Sequence, residues 1–284
     1  MESRSQLLRG VLPSNILLSR ISSSNASLSN RSLPFRATAN GNTFLIFDCM
    51  QHKFNYLRML FWFVTKKVDS CLVLYYNDSH SDQLKVTMDV YFPKGGFCGN
   101  GARAVSHYLH TYYNFGSYAI VLNNEMINET IHLNKLDSGQ YCAELIVPDS
   151  ILPLMIYGYE FYFTKTLSEP HLITFQIIPI DQFIWIAERL QVLMDQRAIS
   201  RGVNVNLCQI NGDNIYVKTW ERGIRRFTKS CGTGVVSCVE TARITGRIES
   251  KCEYVVHCAN EILAVRMNED KKKCLLYGET TLDR

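Results

Sequence analysis

"FCGNGARAV" at 97–105 and "SCGTGVVSC" at 230–238 are two versions of one pattern: Cys-Gly-x-Gly, then a run with helical periodicity. After the first, Ala102, Val105, Leu109 and Tyr112 share a face; after the second, Val235, Cys238, Val239 and Ala242 do. Each glycine-rich turn therefore delivers a cysteine, Cys98 or Cys231, to the first turn of a helix. There the backbone N–H groups lack intrahelical partners, and the macrodipole places about +0.5 charge. Two expectations follow. The thiols should be drawn down from their usual pKa of about 8.5 toward neutrality. The free N–H groups should bind a carboxylate, with Gly99, Gly101, Gly232 and Gly234 letting it approach the backbone closely.

Two such helices aimed at each other would hold one carboxylate between two sulfurs. That suits removal of an α-proton from an amino acid on one face and return of a proton on the other. The α-hydrogen is weakly acidic, so developing charge needs preorganised dipoles at the carboxylate. Inversion needs two proton carriers, one starting as thiolate and one as thiol. No cofactor is required: pyridoxal phosphate is unnecessary for this chemistry, and the chain has no phosphate-binding loop.

The rest of the composition frames this site. The chain has 284 residues, 46% of them hydrophobic, enough for two packed domains, and a net charge of +4. The locally basic "RGIRRFTK" (222–229) reads as a solvated loop, so no nucleic-acid partner is expected. The longest apolar run, "LRMLFWFV" (57–64), is too short to span a bilayer, so no membrane partner is expected either. Ten cysteines include no Cys-x-x-Cys pair and no zinc spacing; no metal is expected, and the thiols point to a reducing cytoplasm. Residues 1–33 carry ten Ser, four Arg and one acid, the composition of a disordered extension, and they resemble an organelle transit peptide.

From Leu33 onward, strands outnumber helices. Runs rich in Val, Ile, Tyr and Phe at 42–49, 69–76, 85–92, 119–124, 142–147, 171–180, 214–220 and 253–258 read as strands. Phe183, Ala187, Leu190 and Met194 give a further helix over 181–199. The fold class is α+β, with two similar domains each built around one central helix.

These residues resemble the diaminopimelate epimerase family, cofactor-independent enzymes that interconvert LL- and meso-diaminopimelate. "CGNGAR" and "SCGTG" look like its paired signatures. "GNTF" (41–44), "EPH" (169–171), "GVNVN" (202–206) and "WERG" (220–223) fall in its order. The resemblance implies two pseudo-symmetric domains, each a mostly antiparallel sheet around a helix, with the active site in the cleft between them. The expected division is 34–118, joined by the returning strand 275–284, and 119–274. Cys98 and Cys231 would be the acid/base thiols. Gly99, Asn100, Gly232 and Thr233 would hold the reacting carboxylate. Asn42, His171 and Glu221 would contact the reacting ammonium or its surroundings, and Asn204 and Arg222 the distal end, with Arg222 clamping a carboxylate. The partner is a small-molecule amino-acid substrate, and a homodimer remains open.

The departures cluster around the substrate. The family's Asn-x-Asp-Gly-Ser is lost before the first motif; residue for residue, Asp89 stands on its Asn. Its Asn before Pro-His is Glu169, its Gln in Asp-Gln-Leu-Leu is Ser70, its Glu-Thr before the second Cys is Phe227-Thr228, and "CGNGARC" ends in Ala104. Ser70, Asp89 and Glu169 are thus specificity candidates. Amides replaced by carboxylates favour a cationic ligand group, so a racemase of a basic amino acid or histidine is the alternative to a diaminopimelate enzyme. A non-catalytic binding descendant would not need both cysteines.

Overall fold

The computed structural model describes residues 33–49, 54–77, 82–91, 96–124, 127–167, 169–196 and 202–283. The extension expected over 1–33 lies, but for Leu33, outside them. The described residues form an α+β structure of seventeen strands and four helices.

The first run of elements is β1 (Phe35–Ala39), β2 (Asn42–Asp48), α1 (Tyr56–Lys66), β3 (Ser70–Asn77), β4 (Gln83–Tyr91), α2 (Gly99–Tyr112), β5 (Ser117–Asn124), β6 (Ile127–Lys135) and β7 (Tyr141–Ile146). The second begins with β8 (Leu152–Ile156), β9 (Tyr159–Thr166), β10 (Glu169–Thr174), α3 (Ile180–Gln196), β11 (Asn204–Asn211) and β12 (Asn214–Glu221). It continues through β13 (Arg226–Phe227), α4 (Gly232–Ile244), β14 (Glu253–Cys258), β15 (Glu261–Met267), β16 (Lys273–Gly278) and β17 (Thr280–Asp283).

The two runs repeat one set of connections. Parallel crossovers β2–α1–β3 and β4–α2–β5 are matched by β10–α3–β11 and by β12–α4–β14, where β13 is inserted. The antiparallel pairs β1–β2, β3–β4, β5–β6 and β6–β7 are matched by β9–β10, β11–β12, β14–β15 and β15–β16. β8 lies antiparallel on β9, and its counterpart on β1 is β17, which returns from the far end of the chain. The halves join where β7 and β16, themselves counterparts, pair from Ile146↔Lys273 to Cys142↔Tyr277.

Each central helix is buried almost all round, as a helix enclosed by strands must be. On α2, Ala102, Ala104, Val105, Tyr108 and Leu109 are buried; on α4, everything from Gly232 to Ala242 is. α2 packs on β1, β2, β5, β6, β7 and β17; α4 packs on β9, β10, β11, β12, β15 and β16. The partners of α2 therefore run on to Ile146, past the division expected at residue 118.

The apolar run 57–64 is helix α1, which starts when the Asn55 side chain accepts from Arg58 N at 3.0 Å. Among the described residues, no helix is long and apolar enough to cross a membrane. The strand expected over 171–180 ends at Thr174: Gln176 N turns back to Thr174 Oγ1 (3.2 Å), and Pro179 O accepts the first bond of α3 from Phe183 N.

Candidate active site

The hairpin that opens the first half delivers the first site residue. Asn40 and Gly41 take φ of +43° and +73°, the left-handed pair that an Asn-Gly hairpin turn requires, and β2 begins with Asn42 in the cleft. Register makes Glu169, the first residue of β10, its counterpart: Asn42 faces Ala39 in one hairpin and Glu169 faces Thr166 in the other. Asn42 Nδ2 donates to Ser230 O at 3.4 Å, and Glu169 Oε1 accepts from Phe97 N at 2.9 Å. Each thus reaches the residue just before the opposite half's cysteine.

Cys98 and Cys231 are the N-caps of α2 and α4, both extended (φ −119° and −128°). The two helix starts meet glycine to glycine. A Cβ on Gly99 would lie 3.4 Å from Gly232 Cα, and one on Gly232 would lie 3.3 Å from Asn100 N. Side chains larger than a methyl would push the two helix starts apart. Asn100 Nδ2 donates to Ser230 Oγ (2.8 Å) and Ser230 O (3.2 Å), Ser230 Oγ donates to Asn40 O (2.8 Å), and Arg103 Nη2 donates to Asn100 Oδ1 (2.8 Å).

The sulfurs differ in their surroundings. Cys98 Sγ accepts from Gly101 N at 3.3 Å. Cys231 Sγ lies 3.7 Å from Thr233 Oγ1, and near enough to the Glu221 carboxylate for each to shift the other's titration. Glu221 accepts from Thr228 Oγ1 at 2.7 Å. Burial holds the Glu221 carboxyl up at about 7, against the Thr228 hydroxyl and the Cys231 thiol and with the charges of Glu169 and Asp69 adding to the rise.

The expectation that the helix starts would lower the thiol pKa values is overturned. Removal from water pushes Cys98 up to about 12, and the Glu221 and Glu169 charges act the same way; the Gly101 and Asn100 amides offset only part. Burial and Glu221 likewise push Cys231 up. Desolvation outweighs the dipole, because half a unit of charge at a helix start cannot replace the lost solvation of a whole thiolate.

His171 is fully buried and does not line the cleft. Its Nδ1 faces Asn206 Nδ2 (3.2 Å), a donor, so Nδ1 accepts and Nε2–H donates to Thr233 Oγ1 (3.1 Å). That leaves the Thr233 hydroxyl hydrogen to point at Cys231 Sγ. Burial, with the Arg222 charge, pushes His171 down to about 3, so it is neutral.

At the other end of the cleft, Arg222 pairs with Glu169, their side chains only 12% and 6% exposed. Asn204 Oδ1 fixes Arg222 by accepting from its backbone N at 3.0 Å. Ser70, the counterpart of Asn204, also lines the cleft. Asp89 does not: it is exposed on β4, near Tyr75, Tyr91 and Cys49. Internal symmetry explains the difference. Asp89 corresponds to Lys218 on β12, which is also exposed, whereas the counterparts of Glu221 and Arg222 fall at 92–93, outside the described residues.

The cavity between the helix starts holds about 310 Å³, at the small end of ligand sites. Twelve of the fourteen residues expected at the site line it: Asn42, Ser70, Cys98, Gly99, Asn100, Glu169, Asn204, Glu221, Arg222, Cys231, Gly232 and Thr233. Sequence reasoning missed Asn206, Thr228 and Ser230. Asn206 was legible in principle, two residues from Asn204 and on the same strand face.

No family model matches the chain. A diaminopimelate epimerase of Thermotoga maritima is 32% identical over 257 residues, covering 84% of this chain and 98% of the relative. That of Aquifex aeolicus is 27% identical over 194 residues, 64% of this chain and 65% of the relative. Among solved structures, a predicted epimerase from Pseudomonas aeruginosa superposes with a TM-score of 0.64 at 13% identity, covering 88% of this chain and 96% of its own. A hydroxyproline epimerase from Agrobacterium vitis superposes at 0.58, also at 13% identity, covering 88% and 90%. The structural likenesses establish a shared epimerase fold, and the Thermotoga relative, matched along nearly its whole length, establishes that the chain belongs to the diaminopimelate epimerase family.

Proposed function

We propose that this amino-acid epimerase interconverts LL- and meso-diaminopimelate by proton transfer between Cys98 and Cys231. The observation that carries this reading is the contact of Gly99 with Gly232, which turns two cysteine-capped helix starts onto one point. A carboxylate there meets the amides of Gly99, Asn100, Gly232 and Thr233, which have no intrahelical carbonyl to bond.

In one direction, the ionised Glu221 takes the Cys231 thiol proton. The thiolate, steadied by the Thr233 hydroxyl, removes the α-proton. The electron pair left on the α-carbon delocalises into the carboxylate under the helix amides. The Cys98 thiol, still protonated at about 12, then donates its proton to the opposite face. Cys98 is left as thiolate, Cys231 as thiol and Glu221 protonated. In reverse, Cys98 takes the α-proton, Cys231 gives one and Glu221 returns its proton to Cys231. After forward turnover the Glu221 proton passes through solvent to Cys98. A substrate ammonium beside Glu221 adds positive charge near both sulfurs and favours each thiolate.

Asn204 accepts from the backbone of Arg222, and the two residues assigned to the distal end thus stand together in the cleft, which supports diaminopimelate as substrate. Glu169 in the same place favours a ligand group carrying positive charge, and supports the second reading, a basic amino acid. The test is α-proton exchange into deuterated water with purified protein and LL-diaminopimelate, lysine, arginine or histidine. Exchange with diaminopimelate, lost in Cys98→Ala and in Cys231→Ala, is the expected result. Exchange with a monocarboxylic amino acid alone would replace the first reading with the second.

A further inference from the structure

The two cysteine motifs diverge within the first turns of their helices. Five residues beyond Cys98 stands Arg103, and five beyond Cys231 stands Val236; both are buried. A guanidinium is thus enclosed at one helix start and not at the other. Its Nη2 donates to Asn100 Oδ1 (2.8 Å), while Nε and Nη1 have no hydrogen-bond partner among the described residues. A Cβ on Gly278 would meet Arg103 Nη1 and Asn40 Oδ1 alike, so the side chain is closed in on that face too. Burial pushes Arg103 down to about 10, and it keeps its charge at neutral pH. An enclosed cation with donors to spare is costly, and an apolar side chain such as Val236 would serve packing at least as well.

The hydrogen bonds that leave Arg103 all run one way. Arg103 donates to Asn100 Oδ1, Asn100 Nδ2 donates to Ser230 Oγ, and Ser230 Oγ donates to Asn40 O. The chain crosses to the residue before Cys231 and ends in the hairpin turn that precedes Asn42. Each acceptor residue is the next donor, so the charge at one end strengthens every link. Among the charges that act on Arg103, that of Cys98 comes first, ahead of Cys142, Cys258 and Glu261. Burial holds Cys142 and Cys258 as thiols, up at about 11 and 12, which leaves Cys98 as the thiol whose ionisation the reaction uses.

We infer that Arg103 is a positioning residue for the proton transfer, one that aims Asn100 across the two helix starts and lends positive charge to the Cys98 side of the site. This rests on the two-cysteine reading above. When Cys98 gives up its proton, a thiolate forms against the negative charges of Glu221 and Glu169. Arg103 opposes those charges from within the protein, where little water screens it. At Cys231 the Thr233 hydroxyl steadies the thiolate instead. The guanidinium therefore brings the two protonation states of the thiol pair closer together in energy.

The test is alkylation of each cysteine by iodoacetamide at fixed pH, followed site by site by mass spectrometry, in wild type, Arg103→Met and Arg103→Lys. Only the thiolate reacts, so the rate reports its population. In Arg103→Met the rate at Cys98 is expected to fall about tenfold, with Cys231 changed by less than about threefold. Arg103→Lys keeps the charge and should keep most of the Cys98 rate. In α-proton exchange with LL-diaminopimelate, Arg103→Met should lose about ten- to a hundredfold in kcat with KM little changed, because the charge acts on the transition state. A merely structural role would instead loosen the cleft and speed alkylation at both cysteines. Cys98 reacting as fast in Arg103→Met as in wild type, or both cysteines altered alike, overturns the inference. Where Arg103→Met fails to fold, Arg103→Lys decides: a Cys98 rate like that of wild type supports the charge, and a loss of about tenfold overturns it. Wild type exchanging no proton of diaminopimelate overturns the proposed function, and the alkylation rates still decide the role of Arg103.

Discussion

Asn100 Nδ2 donates to Ser230 Oγ across 2.8 Å, so a residue in the first turn of α2 holds the residue that leads into Cys231. The same Asn100 accepts from Arg103, which is fully buried and whose Nε and Nη1 have no hydrogen-bond partner among the described residues. One side chain therefore ties the two helix starts together and supplies an enclosed guanidinium with an acceptor at Nη2. Asn100→Ala is expected to destabilise the fold by about 2–3 kcal/mol, the penalty of leaving a buried charged donor without its acceptor. Urea melts check this. Adding Arg103→Met should recover part of the loss, because the enclosed charge goes with it.

Gly232→Ala tests the contact between the helices. The added Cβ would lie 2.7 Å from Leu276 Cδ2 and 3.3 Å from Asn100 N. The leucine tip can swing away, while the backbone amide cannot. Stability should fall, because the fixed Asn100 amide works against the helix preference of Ala over Gly of about 1 kcal/mol. Catalysis should fall steeply, because the new methyl occupies the approach to the carboxylate-binding amides. Thermal melts and exchange kinetics on one preparation separate the two effects.

Glu221, held up at about 7, sets the expected pH profile. As the base for Cys231 it works ionised, so kcat/KM should rise with pH through about 7. Glu221→Gln should lower the rate by about 10²- to 10⁴-fold and flatten that limb. A rising limb unchanged in the Gln variant would assign the ionisation elsewhere.

His171 should make the fold sensitive to acid. It titrates at about 3 in the folded protein against an ordinary 6.5, so between those values the unfolded chain binds more protons. Its contribution is complete above 6.5 and is lost as the pH falls toward 3. Glu221 acts in the opposite sense: its contribution is full below 4.5 and is lost as the pH rises through about 7. His171→Gln should therefore lose less stability than wild type on acidification, read as the change in urea midpoint between neutral and mildly acidic buffer.

Much of this was legible in the sequence because the repeated cysteine motif is local. Helix starts, caps and glycine approach depend on neighbouring residues, and these put Cys98, Gly99, Asn100, Cys231, Gly232 and Thr233 in one cleft. What was not legible depends on enclosure. The upward shift of the thiols comes from burial by both halves, which no single stretch encodes. The place of His171 behind Thr233 depends on the register of β10 against β11, with His171 opposite Asn204. Asp89 was misplaced because strand register, not linear spacing, decides which end of β4 meets the cleft. Helix α1 was missed because its run 57–64 is apolar on both faces: Met59 is buried while Leu57 and Phe61 are 75% and 61% exposed.

The pairing of β17 with β1, Arg36 opposite Asp283, has a consequence for biosynthesis. The half that is translated first lacks one of its own strands until the last described residues leave the ribosome. The second half, from β8 through β16, carries its counterpart strand at its start and is complete at Gly278, before β17 is made. A late, long-range pairing of this kind slows folding, and it leaves β1 with an exposed edge while synthesis continues. A chain ending just after Gly278 should therefore be more open to protease in its first half than in its second, reversing the order in which the two were made.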